Sequence, residues 1–247
     1  MISDEEVKAN AVAFAKRHKK RIASERTDIE QYEPEERPIS IFMAGSPGAG
    51  KTEIAKEYVA ALDDLEAQGF EGLGRILRID PDDLREELPG YTGSNSRLFQ
   101  GAVSILVDRI HDVMLKQRQS FILDGTLASF DIACKNIARS LKRGRDVQVF
   151  YVYQHPLLAW KFVCSREKVE GRNIPLEGFI QQFLNVQEVV GRIKLDFGEQ
   201  VILDMIVKDT DGTNQHWESD IDSIDAFLPE RYTYDQLESL LTGEDKK

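Results

Sequence analysis

A short, mostly apolar run of six residues, Ile39 to Ala44 (ISIFMA), leads directly into Gly45-Ser46-Pro47-Gly48-Ala49-Gly50-Lys51-Thr52, after which Ile54, Ala55, Tyr58, Val59 and Leu62 recur on one helical face. No other stretch narrows the fold as much. The apolar run reads as a buried strand and the stripe as an amphipathic helix, so a glycine-rich loop must join them. Those eight residues match G-x-x-x-x-G-K-[ST] at every fixed position. Glycines let consecutive backbone N–H groups turn inward, and the following helix aims its positive end at the same point. The phosphate tail of ATP fits such a cradle. All eight residues, Gly45 to Thr52, are therefore candidates for nucleotide binding, with Lys51 reaching the β- and γ-phosphates and the Thr52 hydroxyl ligating Mg²⁺.

The alternation continues along the chain. LGRILRID, SFILDGT, DVQVFYVYQ and VILDMIVKD read as strands, interleaved with helical patterns over residues 96–117, 130–144, 157–175 and 176–194. Mostly apolar strands alternating with helices predict an α/β fold: a parallel sheet flanked by helices, of the P-loop NTPase, kinase-like kind. A helical pattern from Glu5 to about Ala23 and a charged, Pro-bearing stretch from Arg26 to Pro38 stand before it. The expected division is an appended N-terminal helix and linker over residues 1–37, and a kinase domain over 38–247 with a helical lid. The segment after Thr210 reads as an acidic tail closed by a helix at YDQLESLL.

Composition excludes several classes. The formal charge of −11 disfavours nonspecific attraction to a nucleic-acid backbone, and the basic cluster Lys16 to Arg21 reads as a solvated helix face. The only cysteines, Cys134 and Cys164, have neither disulfide-framework nor zinc-site spacing. The first ten residues are polar and acidic, and no run approaches the roughly 18 apolar residues of a membrane span. A soluble, cytoplasmic protein acting without membrane or nucleic-acid partners is expected.

In an open parallel sheet the residues just past the strand C-termini face the ligand crevice. IDPDDLREELPGY places Asp80, Asp82 and Asp83 there, any of which can accept a hydroxyl proton, although the same residues also spell a helix start with Pro at its first position. ILDGT places Asp124 across from Thr52, where a carboxylate binds Mg²⁺, with Thr126 in reach of substrate. CSREKVEGRNIP carries Arg166 and Arg172 on a helical hairpin, from which guanidinium groups can neutralise a transferring phosphoryl group.

Taken together, AGSPGAGKT, RIDPDDLREELPGY, FILDGT and the SRE…GRNIP arginine pair resemble the zeta toxin, or PezT-like, branch of P-loop kinases, over about Pro38 to Lys194. The resemblance implies an ATP-dependent kinase of UDP-N-acetylglucosamine or a related UDP-sugar. The γ-phosphate would go to the 3′-hydroxyl of the amino sugar, giving a product that poisons cell-wall precursor synthesis. It implies Asp82 as catalytic base, with Lys51, Arg166 and Arg172 as the charge-neutralising catalytic groups. Arg85, Asp108, Asp124 and Thr126 would bind substrate, Thr52 and Asp124 the Mg²⁺, and a small helical antitoxin would be the partner. Asp108, sixteen positions before Asp124, falls where the family has a sugar-contacting glutamate, and Asp124 where it has the glutamate of an E-G-T motif. By periodicity Asp108 shares a polar helix face with Ser104 and His111. Two features depart from the pattern: Ala128 stands where the family has an arginine, and Arg166 and Arg172 are closer together than in the plasmid-borne toxins.

Two other functions use the same loop. A kinase of another small molecule or of a nucleic-acid end suits the Asp-x-x-Arg of residues 82–85, and a nucleotide switch needs no acceptor but water. An inhibitory role in cis for the N-terminal helix is a further alternative to a separate antitoxin.

Overall fold

Alternation along the strands divides the core into two layers. In β1 (Ile39–Ala44) Phe42 and Ala44 enter one layer, Ile41 and Met43 the other, and all four are fully buried. β4 (Asp146–Tyr153) repeats the division, with Val149 and Tyr151 on one side and Phe150 and Val152 on the other. A strand covered on both faces has no polar side to show, which is why these segments read as unbroken apolar runs.

The computed structural model describes residues 2–69, 74–171, 173–209 and 215–243. β1 pairs in parallel with β3 (Phe121–Leu123) and with β4, β2 (Leu77–Ile79) with β3, and β4 with β5 (Ile202–Lys208). The sequence reading predicted a parallel sheet, but β6 (Gln215–Glu218) adds an antiparallel edge to β5, giving the order β2-β3-β1-β4-β5-β6. Nothing in QHWE forms an apolar run. Its one anchoring ring, Trp217, packs edge-on against Phe150 at 5.1 Å between centroids.

On one face α2 (Lys51–Ala67) supplies Ile54 and Ala55, with Tyr58, Val59 and Leu62 packed around them. The other face is covered by a larger group that includes α4 (Gln100–Gln117), α5 (Phe130–Leu141), α7 (Leu176–Phe197) and α8 (Tyr234–Thr242). α1 (Asp4–Arg26) belongs to that group. It starts at a capping box between Ser3 and Glu6, and its Ala11, Ala15, Ile22 and Ala23 are buried in the same layer as Val103, Leu106 and Ile110 of α4. The following segment is tied down too, because the Gln119 side chain donates to the carbonyls of Thr27 and Tyr32. Among the described residues, those of α1 belong to the main core rather than to one of their own on the N-terminal side of the expected division at residue 37. The apolar stripe of α1 is largely alanine among charged residues, so the pattern understated its packing.

α4 follows a 3₁₀ turn over Ser96–Phe99 and corrects one reading. His111, expected on the polar face, is buried between Phe42 and Phe121, with ring centroids 6.3 and 4.9 Å away. α6 (Pro156–Glu170) stops at Gly171, whose φ of 71° is the left-handed conformation that ends helices, and α7 begins after Pro175. These two helices form the expected hairpin. Among the described residues no helix is long and apolar enough to cross a membrane.

Candidate active site

The loops after β1, β2 and β3 leave from the same end of the sheet and, with the α6–α7 hairpin, enclose a cleft of about 540 Å³. Its walls include Gly48, Lys51, Thr52, Asp82, Asp124 and Arg166. The volume suits a small-molecule site.

The glycine loop has the shape its sequence demands. Gly48 and Gly50 take φ values of 74° and 87°, and a Cβ on Gly48 would stand 2.2 Å from the Ala159 carbonyl oxygen of α6. Only glycine fits there. Gly50 is the N-cap of α2 and offers no side-chain acceptor, so the positive end of the helix is left for an anion to satisfy. Lys51 Nζ donates to the carbonyls of Gly45 at 3.1 Å and Ser46 at 2.8 Å, folded along the loop it serves. Gly45 N–H in turn donates to the Thr126 carbonyl at 3.3 Å, joining the loop to the end of the β3 segment.

Opposite the loop, α3 (Pro81–Glu86) carries Asp82. Asp80 caps it, accepting from the Asp82 amide at 2.7 Å, and Pro81 occupies the first helical position. Asp80 and Asp82 both border the cleft, but Asp80 is engaged in capping α3 and in its pair with Arg78, while Asp83 pairs with Arg78 at 2.9 Å. Asp82 is ion-paired with Arg85 and stands 3.7 Å from Arg166 Nη2. Arg85 is buried and donates to Gln100 Oε1 at 2.8 Å, so the carboxylate rests on a guanidinium fixed from the start of α4.

Asp124 is buried just past the end of β3 and lines the same cleft as Thr52. Burial, then the neighbouring Asp80 carboxylate, push the Asp124 carboxyl above its ordinary value, while Thr52, Arg78 and Lys51 pull it back. Thr52 and Asp124 both present oxygens to the cleft. That set fits Mg²⁺, which is commonly held by one or two protein oxygens and completed by phosphates and water.

Most residues expected from the sequence meet here: the loop, Asp82, Arg85, Asp124, Thr126 and Arg166 all reach the cleft region. Arg172 lies outside the described residues. Asp108 is not brought to the cleft. Its half-exposed carboxylate faces α5, pairing with Arg139 at 3.2 Å and Lys135 at 4.0 Å, and lies instead in a shallow groove with Lys19, Lys20 and Asp112. The helix face it occupies turns toward α5 and α1, and the shorter aspartate has cations of its own to answer.

Sequence reasoning missed Arg78. This arginine, in the middle of β2, pairs with Asp80 and, at 2.8 Å, with Asp124. A lone cation inside a covered strand signals carboxylates waiting beside it. Ser96, Arg97, Gln100, Asn173 and Gln182, which also line the cleft, carry no local motif at all.

The zeta toxin family model matches residues 22–222, more than half the chain. The chain belongs to the zeta toxin family. Members of this family are ATP-dependent kinases, and the mostly parallel sheet with its phosphate loop is the fold they share. Among solved structures, that of the PezAT chromosomal toxin-antitoxin system of Streptococcus pneumoniae is 18% identical with a TM-score of 0.56, covering 95% of this chain and 89% of that one. The AvrRxo1-ORF1:-ORF2 complex with ATP is 16% identical with a TM-score of 0.59, covering 87% and 67%. The same pair with sulphate ions gives 17% and 0.57, covering 91% and 70%. At these identities the likeness is one of fold. Among curated proteins none matches the chain.

Proposed function

We propose that this zeta toxin family member transfers the γ-phosphate of ATP to the 3′-hydroxyl of the amino sugar of UDP-N-acetylglucosamine or a related UDP-sugar, with Asp82 as base. The observation that carries the reading is the placement of Asp82 in the wall of the same cleft as the phosphate loop, beside Arg166. A base so placed is useful only if something other than the nucleotide enters.

The acceptor hydroxyl gives its proton to an Asp82 oxygen as its own oxygen attacks the γ-phosphorus and the bond to the bridging β–γ oxygen breaks, leaving ADP. Lys51 exchanges its two carbonyl contacts for phosphate oxygens, and Arg166 turns from Asp82 to the equatorial oxygens, where charge spreads in the transition state. Arg172 is assigned the same charge-neutralising role from the sequence alone. Mg²⁺, when bound, neutralises charge on the β- and γ-phosphates, and Thr52 and Asp124 are the residues to hold it. Arg85 orients Asp82, and Thr126 closes the loop side. Ser96, Arg97, Gln100, Asn173 and Gln182 bring hydroxyl, amide and guanidinium groups to the cleft lining. Such groups suit a polyhydroxylated, phosphate-bearing acceptor, and the likeness to the PezAT system supports an antitoxin protein as partner.

Mass spectrometry after incubation with ATP, Mg²⁺ and a panel of UDP-sugars, nucleosides and RNA ends tests the acceptor. A singly phosphorylated UDP-N-acetylglucosamine supports the reading. Phosphate found only on a nucleoside or RNA end replaces the acceptor, and ADP formed at one slow rate whatever is added reduces the protein to a nucleotide switch.

A further inference from the structure

We propose that Arg78 is a positioning residue that sets the place of Asp82. By binding Asp80 and Asp124 together, it locks the helix turn that carries the base to the end of β3. The inference rests on the reading of Asp82 as base.

The contacts form a continuous chain. Arg78 Nη1 bonds both Asp80 Oδ2 and, at 2.8 Å, Asp124 Oδ2, while Nη2 takes Asp83 Oδ2 at 2.9 Å. The other oxygen of Asp80 accepts the Asp82 amide. One guanidinium therefore spans the end of β3, the N-cap of α3 and its first turn. The backbone ties Asp124 N–H to the Ile79 carbonyl at 2.9 Å, and Leu84, Leu88 and the Arg85–Gln100 bond hold the far end of the six-residue α3, but among the described side chains it is Arg78 that bonds Asp80, Asp83 and Asp124 together.

Charge makes the arginine necessary. The side chains of Asp80 and Asp124 are 10% and 2% exposed, so two buried carboxylates meet with this cation between them. Without it they repel in a medium that screens poorly, and the mobile partner is the short helix rather than the sheet. A lysine keeps the charge but lacks the planar fork that reaches three carboxylates. Arg78 does not line the cleft, so its influence passes through Asp80 to Asp82.

The test compares Arg78→Met, Arg78→Lys, Asp80→Asn and the double variant Arg78→Met with Asp80→Asn. Asparagine caps a helix as well as aspartate and removes the charge. ADP release is followed with saturating UDP-N-acetylglucosamine and with water as sole acceptor, alongside amide exchange of the α3 peptide. Arg78→Met is expected to lower kcat by roughly tenfold to a hundredfold, the scale of a misplacement of about 1 Å, with the KM for ATP unchanged. Exchange in α3 should quicken while the peptide containing the phosphate loop stays protected. Adding Asp80→Asn should restore kcat by about threefold or more over Arg78→Met alone, because the two sites are coupled. Arg78→Lys should fall between wild type and Arg78→Met.

An unchanged kcat in Arg78→Met overturns the proposal, as does a loss that Asp80→Asn does not relieve, which marks a merely structural arginine. If Arg78→Met does not fold, Arg78→Lys with and without Asp80→Asn makes the same comparison. Failure of the wild type to use UDP-N-acetylglucosamine removes that acceptor and leaves the Arg78 result standing on the water reaction.

Discussion

Arg166 Nη2 stands 3.7 Å from Asp82 Oδ2, so α6 and α3 meet across the cleft through a pair of opposite charges. Arg166 is half exposed and reaches from α6 on a long side chain, free of the burial that fixes Arg85 beneath the same carboxylate. It is the movable member of the trio. Arg166→Ala should lower kcat by about 10³-fold with ATP affinity little changed, since arginines that neutralise a transferring phosphoryl group act in the transition state. Arg166→Lys should recover only a small part of that loss for want of the bidentate fork. Steady-state kinetics beside ATP titrations check both, and a kcat close to wild type would remove Arg166 from the chemistry.

Acid should unfold this protein partly through His111. Burial, and then Arg139, Arg145 and Lys135, hold its imidazole down to about 3 from an ordinary 6.5. A depressed pKa means that the folded state resists the proton, so this stability is complete above pH 6.5 and is lost as pH falls from there toward 3. By linkage the loss from this group between pH 7.5 and pH 5 is about 2 kcal/mol. His111→Leu, which removes the titration and keeps an apolar filling between Phe42 and Phe121, should show a shallower acid limb in urea unfolding. Parallel limbs for the two proteins would contradict it.

Asp108→Asn should leave kcat and the KM for the acceptor within about twofold of wild type, as expected of an exposed ion pair worth at most about 1 kcal/mol. The family's sugar-contacting position is thereby separated from this chain's own geometry, in which the carboxylate answers Arg139 and Lys135. A loss of acceptor affinity confined to this variant would show that the α4–α5 groove turns into the cleft when substrate binds.

The N-terminal helix should behave as core. Ala15 is fully buried against the α4 layer, and Ala15→Leu overpacks that contact, costing about 1–3 kcal/mol and a few degrees of Tm. None of the described residues of α1 lines the cleft, so releasing the helix should bring no rise in activity. Calorimetry and ADP release on the same sample measure both, and an unchanged Tm with raised turnover would make α1 a restraint in cis.

The phosphate loop and the β1–α2 unit were legible because every requirement there is local: glycine conformations, the lysine, the apolar strand and the helical stripe all lie within one stretch. Read from its own residues Asp82 was one of three, and only the family resemblance singled it out, since the local distinction depends on Asp80 turning back to cap α3 and Asp83 turning out to Arg78. The features that escaped depend on distant partners. Arg78 gains its meaning from Asp124, 46 positions away, and His111 from aromatic rings on β1 and β3. Likewise β6 has no pattern of its own, and α1 buries alanines that a hydropathy stripe hardly registers.

Asp82→Asn tests the central claim most directly, because asparagine keeps the shape of the base and removes its capacity to take a proton. Transfer of phosphate from ATP to UDP-N-acetylglucosamine should fall by about 10²–10⁴-fold in this variant while the ATP dissociation constant stays within about twofold. Phosphorylated sugar formed at the wild-type rate by Asp82→Asn would contradict the account.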